Sequence, residues 1–140
     1  FTYNNIEFYD DYAHHPTEIK EVLDGVSKVY QKFDKVCIFQ PHRISRLKDL
    51  RKEFSYAFQK ADIVILCPIY TAGEKIKLGF EYLKFAKEII KNSKVKLFMV
   101  NDKSQLAKFI KKNMYGKKIV IGMGAGTISN WMKEIPQLIK

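Results

Sequence analysis

The stretch "DDYAHHPTEI" (10–19) sets two carboxylates, a tyrosine and two adjacent histidines between an apolar run and a helical pattern. The chain has only three histidines, and the third, His42, lies in "QPHRISR" (40–46) beside Arg43 and Arg46. Two further clusters carry polar or conformationally special residues: "YTAGE" (70–74), with Tyr70, Thr71 and Glu74, and "GMGAGTIS" (122–129). Guanidinium forks match planar anions such as carboxylate and phosphate, and imidazole handles protons near neutral pH. Arg43 and Arg46, three apart, would share one face of a first helical turn, where cations oppose the helix dipole. Binding an anion gives them a reason to be there. Asp11 can cap its own turn, and His15 before Pro16 suits an N-cap, which leaves His14 on the loop to face a ligand.

The elements that must position these residues alternate. Strand-like runs fall at 6–10, 35–40, 62–69, 94–100 and 117–123, and several are continuously apolar, as in strands of a parallel sheet covered on both faces. Helical spacing links Ile19, Val22, Leu23, Val26 and Tyr30, then Leu47, Leu50, Phe54, Ala57, Phe58 and Ala61 in one continuous pattern. It recurs at Phe80, Leu83, Ala86 and Ile90, at Leu106, Phe109 and Ile110, and at Ile128, Trp131, Met132 and Ile135 in a short helix before Pro136. Pro16 suits a first helical position with Glu18 facing the positive end of the dipole, and Asp102 with Gln105 reads as a capping box. Successive βα units predict one domain over 1–140 of α/β class, a Rossmann-like three-layer fold with a mostly parallel sheet flanked by helices. Ligands of such sheets bind beyond the carboxyl ends of the strands. All three histidines and two of the three arginines fall at that one edge.

Length and composition bound the alternatives. At 140 residues with 46% hydrophobic content, the chain can bury a core of its own. No apolar run approaches the ~20 residues of a membrane span, and no signal-peptide pattern opens the sequence. The net charge of +10 invites a nucleic-acid reading, but nearly all of the excess is lysine scattered along every helix. Such a surface is expected to be solvated, so neither nucleic acid nor membrane is expected as a partner. Cys37 and Cys67 lie in apolar strand-like runs without a Cys-x-x-Cys neighbour, which suggests buried free thiols in a cytoplasmic protein and no metal site. The glycines of "GMGAG" are not spaced as G-x-G-x-x-G and follow the last strand, which counts against a dinucleotide-binding domain. A G-x-x-x-x-G-K-[ST] phosphate loop is absent, so any grip on ATP phosphates must come from elsewhere. The chain also opens on Phe1, and a longer parent protein is expected.

"DDYAHHPTEI", "FQPHRISR", "YTAGE" and "GAGTIS", in this order and spacing, closely resemble the C-terminal domain of the Mur ligases, in the branch that adds L-alanine to UDP-N-acetylmuramate. The resemblance spans nearly the whole chain. It implies the last third of a three-domain enzyme whose UDP-sugar and central ATP-binding domains lie outside this sequence, with ATP and Mg2+ held mainly by the central domain. The implied reaction is phosphorylation of the muramoyl carboxylate by ATP, attack of the alanine amine on the acyl phosphate, and loss of phosphate. Matched motif by motif, Asp11 is expected to hydrogen-bond the ATP ribose, and Tyr12 and His14 to line the alanine and acyl-phosphate site. His42, Arg43 and Arg46 are expected to face the amino acid and the muramoyl group, with His14, Arg43 and Arg46 as the catalytic set. Two positions depart from the family pattern: Thr127 replaces an aspartate of G-A-G-D-I, where it is expected to cap the helix, and Ile44 replaces a frequent tyrosine. A tripeptide-recycling ligase shares the "AHHPT" kind of motif but lacks P-H-R-x-S-R. A basic nucleic-acid module is the alternative from another class.

Overall fold

The computed structural model describes residues 1–74 and 80–139. The side chain of Phe80, which spacing places on the third helical stripe, lies outside the described residues. Six strands, β1 (Thr2–Tyr3), β2 (Ile6–Asp11), β3 (Asp34–Phe39), β4 (Ile63–Leu66), β5 (Lys96–Met99) and β6 (Lys118–Met123), form one sheet in the order β1-β2-β6-β3-β4-β5. Every pairing is parallel except the short β1–β2 hairpin. β1 is the one strand absent from the periodicity, since two residues make no pattern.

Side chains alternate across the buried strands, so each face needs its own cover. Cys37, Phe39, Val64, Leu66, Ile119 and Ile121 pack beneath α1 (Pro16–Val29), α2 (Ile44–Asp49), α3 (Arg51–Tyr56) and α4 (Phe80–Ser93). Val36, Ile38, Ile65 and Val120 pack beneath α5 (Lys103–Asn113) and α6 (Ile128–Leu138). The result is the expected three-layer α/β arrangement. Cys37 and Cys67 are both buried and free, one in each core. Burial pushes both thiols up, Cys67 to about 12, so neither is a thiolate at neutral pH. No described helix is long and apolar enough to cross a membrane.

Three expectations are corrected. The helical stripe from Leu47 to Ala61 is broken at Leu50, whose φ of −117° and ψ of 21° separate α2 from α3. Continuous apolar spacing conceals the break because both short helices turn the same face to the sheet. The strand expected over 94–100 spans only Lys96–Met99, at the edge of the sheet, with Phe98 and Met99 about 40% exposed. The last helix does not stop before Pro136 but contains it, with Ile139 N–H still donating to Ile135 O at 3.0 Å.

One helical glycine has no packing reason to be glycine. Gly25 is exposed in α1, and an added Cβ would meet no atom within 4 Å. Gly25→Ala should therefore stabilise the domain by about 0.5–1 kcal/mol in denaturant unfolding, since alanine loses less backbone entropy in a helix.

Candidate functional site

Strand register builds the site. Met123 of β6 pairs with Asp11 of β2 on one side and Phe39 of β3 on the other, and Phe39 pairs in turn with Leu66 of β4. Four carboxyl ends thus form one row, and the loops beginning at 12, 40, 67 and 124 leave it side by side. An isolated bridge between His42 and Tyr70 extends the alignment into the second and third loops.

Four rings cross this edge in series. Tyr12 meets His14 edge-on at 5.1 Å, His14 meets His42 edge-on at 5.8 Å, and His42 stacks on Tyr70 at 5.3 Å. Tyr12 is the outermost, 70% exposed. His14 Nδ1 lies 2.9 Å from the Tyr12 carbonyl, which can only accept, so Nδ1 carries the proton and Nε2 keeps its lone pair in the neutral ring. Arg46 Nη1 donates to His42 Nδ1 at 3.3 Å, which fixes the opposite tautomer there. Burial first, then the Arg46 guanidinium, lowers His42 below its ordinary 6.5. The His42 ring is therefore uncharged at neutral pH and free to accept that bond.

Arg43 does not lie in the first turn as expected. It precedes α2 as the N-cap residue at φ 59°, a left-handed conformation uncommon for a side-chain-bearing residue. Its N–H donates to Tyr70 O at 2.6 Å, and Tyr70 N–H donates to Pro41 O at 2.9 Å, so the 40–43 and 67–70 loops lock each other. The Arg43 side chain is exposed at the rim, and Arg46 is half-buried behind it. Glu74 reaches back from the third loop, where its Oε1 accepts the Ser45 N–H at 3.1 Å. That hydrogen bond holds the Glu74 carboxyl below its usual range.

The first loop divides as expected. Asp11 Oδ1 accepts the Ala13 N–H at 2.8 Å and closes the turn. His15 is the N-cap of α1 within a full capping box, Glu18 Oε1 accepting the His15 N–H at 3.1 Å. His15→Ala should cost about 1 kcal/mol in unfolding experiments, with His15→Asn restoring most of it. Asp102 forms only half of its box: it accepts from Gln105 N–H, while Gln105 turns to Asn101 N–H.

One reading of the last loop changes. Thr127 makes no side-chain cap of α6. The oxygen that accepts the Ile128 N–H, at 2.9 Å, is Gln40 Oε1 from the end of β3. The glycines form no open cradle. A Cβ at Gly124 would meet Gln40 O and Ile128 Cγ2 at 2.8 Å, and one at Gly126 would meet Tyr70 Cγ at 2.5 Å. The close approach serves the chain's own packing, and these residues do not fit a triphosphate by themselves. Among the described residues no cluster of His, Cys, Asp and Glu could hold a metal ion, so the edge does not fit a Mg2+ site either. Gln40 and Glu74 are the positions whose roles sequence reasoning missed. The one available signal was a polar residue closing the otherwise apolar run "VCIFQ".

Asp11, Tyr12, His14, His42, Arg43 and Arg46 thus share one edge, with the rings of Tyr12, His14 and His42 in series and Arg46 bonded to His42. Comparison with known proteins then gives a consistent result. The family model described as "Mur ligase, glutamate ligase domain" matches residues 2–126. A UDP-N-acetylmuramate–L-alanine ligase from Pelagibacter ubique is 71% identical over 99% of this chain, which spans 30% of that protein. The crystal structure of a UDP-N-acetylmuramate–alanine ligase from Thermotoga maritima is similar with a TM-score of 0.72 and 27% identity, covering 96% of this chain and 26% of that one. A crystallised domain assigned to a UDP-N-acetylmuramate:L-alanyl-γ-D-glutamyl-meso-diaminopimelate ligase from Haemophilus ducreyi shares the fold, with a TM-score of 0.69 at 19% identity, over 98% of this chain and 94% of that one. The chain therefore spans about a third of the length of the curated relatives it matches.

Proposed function

Because the chain belongs to the Mur ligase family, as its C-terminal glutamate ligase domain, we propose that it forms the amino-acid-facing part of an ATP-dependent ligase joining L-alanine to UDP-N-acetylmuramate. The observation that carries this reading is the pairing of Arg43 and Arg46 beside a neutral histidine at the carboxyl edge, in a chain 71% identical to a Pelagibacter protein of that name.

The chemistry follows from the groups present. Arg43 at the rim and Arg46 behind it receive the alanine carboxylate. His14 Nε2, left with a lone pair by the Nδ1 bond to Tyr12 O, takes a proton from the alanine ammonium. The amine then forms a bond to the carbonyl carbon of the muramoyl phosphate. As the tetrahedral intermediate collapses, the C–O bond to phosphate breaks, the electron pair leaves with the phosphate, and the surplus proton on the new amide nitrogen passes to that phosphate. The two guanidiniums also offset the anionic charge that develops in this step. Neutral His42 contributes no charge and holds Arg46 in place. Tyr12 lines the acyl-phosphate side, and Asp11, with one oxygen committed to its turn, offers the other to the ATP ribose. Mg2+ and the ATP phosphates fall to the central domain of the full enzyme, so the isolated domain is inactive and turnover requires domain closure. The compartment is the cytoplasm, where these nucleotide substrates are made.

The tripeptide-recycling reading keeps the same fold and mechanism. The nucleic-acid alternative is less well supported, because the described lysines are spread over helices on both sheet faces and form no single stripe. Alanine-dependent phosphate release by the full-length enzyme is the activity to measure. In that assay His14→Ala should lower kcat by about 10²–10⁴-fold, the usual share of a positioned acid–base group, with an unchanged unfolding midpoint. A His14→Ala variant that melts earlier yet turns over normally would assign the ring to structure instead.

A further inference from the structure

Gln40 is a polar side chain only 2% exposed, at the end of β3. Both ends of its amide are occupied. Nε2 donates to Thr127 Oγ1 at 2.8 Å and to Pro68 O at 3.3 Å, and Oε1 accepts the Ile128 N–H at 2.9 Å. A buried amide is costly unless every partner is supplied, and an apolar residue would fill the same space without that demand. The partners indicate what the amide is for. Pro68 lies in the loop after β4, and Thr127 and Ile128 open α6 after β6, so one side chain ties three of the four loops of the edge.

The tie continues to the chemistry. Pro68 leads to Tyr70, whose ring stacks on His42 and whose carbonyl accepts the Arg43 N–H. Gly126 backs directly onto the Tyr70 ring, with Gln40 Oε1 at 2.9 Å from where its Cβ would stand. The Tyr70 ring is thus held between the α6 loop, which Gln40 caps, and His42, which bonds Arg46. We propose that Gln40 is a positioning residue for the amino-acid site: by clamping the 67–70 and 124–128 loops together, it seats Tyr70 so that His42, Arg43 and Arg46 present one fixed cationic surface. The same clamp explains how Thr127 can stand where the family pattern has an aspartate. The α6 cap comes from Gln40, and position 127 need only accept one hydrogen bond from Nε2. The identity of the amino acid rests on the function proposed above; the clamp itself does not.

The test uses Gln40→Met, which keeps length and charge but removes the amide, and the milder Thr127→Val, which removes one acceptor and guards against a variant that fails to fold. A domain of this fold crystallises on its own, so histidine titration can be followed by NMR in the present chain. The His42 ring is faced by His14, Arg43, Arg46, Glu74 and Tyr70. In both variants it should titrate closer to its ordinary range, as the loosened Tyr70 lets water in. In the full-length enzyme the KM for L-alanine should rise about tenfold or more, as expected of a displaced binding group, with the KM for ATP little changed. Variants that unfold earlier but keep the wild-type His42 titration and alanine KM would overturn the proposal and leave Gln40 a stability residue only. A wild-type enzyme that does not use alanine would remove the substrate assignment, while the His42 titration would still decide the clamp.

Discussion

Replacing Arg46 by alanine in the full-length enzyme should reduce kcat/KM for L-alanine by about 10²–10³-fold, and Arg43→Ala by about tenfold to 10²-fold, with neither variant losing its fold. Truncating one partner of a desolvated charge pair costs roughly 2–4 kcal/mol, and each 1.4 kcal/mol is a factor of ten. Arg46 is the more enclosed and is oriented by His42 Nδ1, so its ion pair with a bound carboxylate is screened less. Arg43 is exposed, and its backbone, which carries the strained φ of 59°, is held through the main chain to Tyr70. Alanine there keeps that hydrogen bond. The Arg46 variant also has a pH signature with a definite sign. Burial and then its guanidinium lower His42, so removing the guanidinium should raise the His42 pKa toward 6.5. Steady-state kinetics against alanine concentration checks the first, and NMR titration of the His42 ring checks the second. Wild-type alanine kinetics in the two variants would contradict the assignment.

Gly126→Ala should be a strongly damaging small substitution at the edge. The new Cβ would stand 2.5 Å from Tyr70 Cγ, 2.6 Å from Tyr70 Cβ and 2.9 Å from Gln40 Oε1. A Cβ belongs to the backbone-anchored part of a side chain, so Tyr70 cannot swing clear, and its N–H and carbonyl are both committed to the second loop. Overpacking of this kind costs about 1–3 kcal/mol, and here the strain is delivered to the ring that stacks on His42. Stability and alanine KM should therefore worsen together. Gly122→Ala is the milder comparison: the three atoms nearest its Cβ, at 2.7, 2.9 and 3.3 Å, are the Cγ, Sδ and Cε of Met132, all in one unbranched side chain that can shift. Denaturant unfolding beside alanine kinetics separates the two. A Gly126→Ala enzyme with wild-type stability and KM would mean that Tyr70 is not held as described.

These two cases show what was legible in the sequence and why the rest was not. Buried parallel strands announce themselves as apolar runs, and their carboxyl ends are where ligands bind, so His14, His42, Arg43 and Arg46 could be placed at one edge before any coordinates. His15 could be read as a cap because its signals, Pro16 and Glu18, are local. The misses involve partners distant in sequence. Glu74 meets Ser45 across 29 residues, and Gln40 meets Ile128 across 88, separations that no window of periodicity spans. Thr127 failed as a cap because a competitor from another strand occupies the Ile128 N–H. The break at Leu50 escaped notice because a kink that keeps the same buried face leaves the apolar spacing intact. The glycines of "GMGAG" lack a nucleotide-loop spacing, and what approaches them closely is the chain's own Met132, Gln40 and Tyr70.

The central claim is most directly tested by phosphate release from ATP by the full-length enzyme with UDP-N-acetylmuramate, comparing L-alanine with the L-alanyl-γ-D-glutamyl-meso-diaminopimelate tripeptide. The account predicts release that depends on L-alanine and is negligible with the tripeptide. Release with the tripeptide and not with alanine would contradict it, leaving the fold and the acyl-phosphate chemistry but assigning the Arg43–Arg46 surface to a peptide.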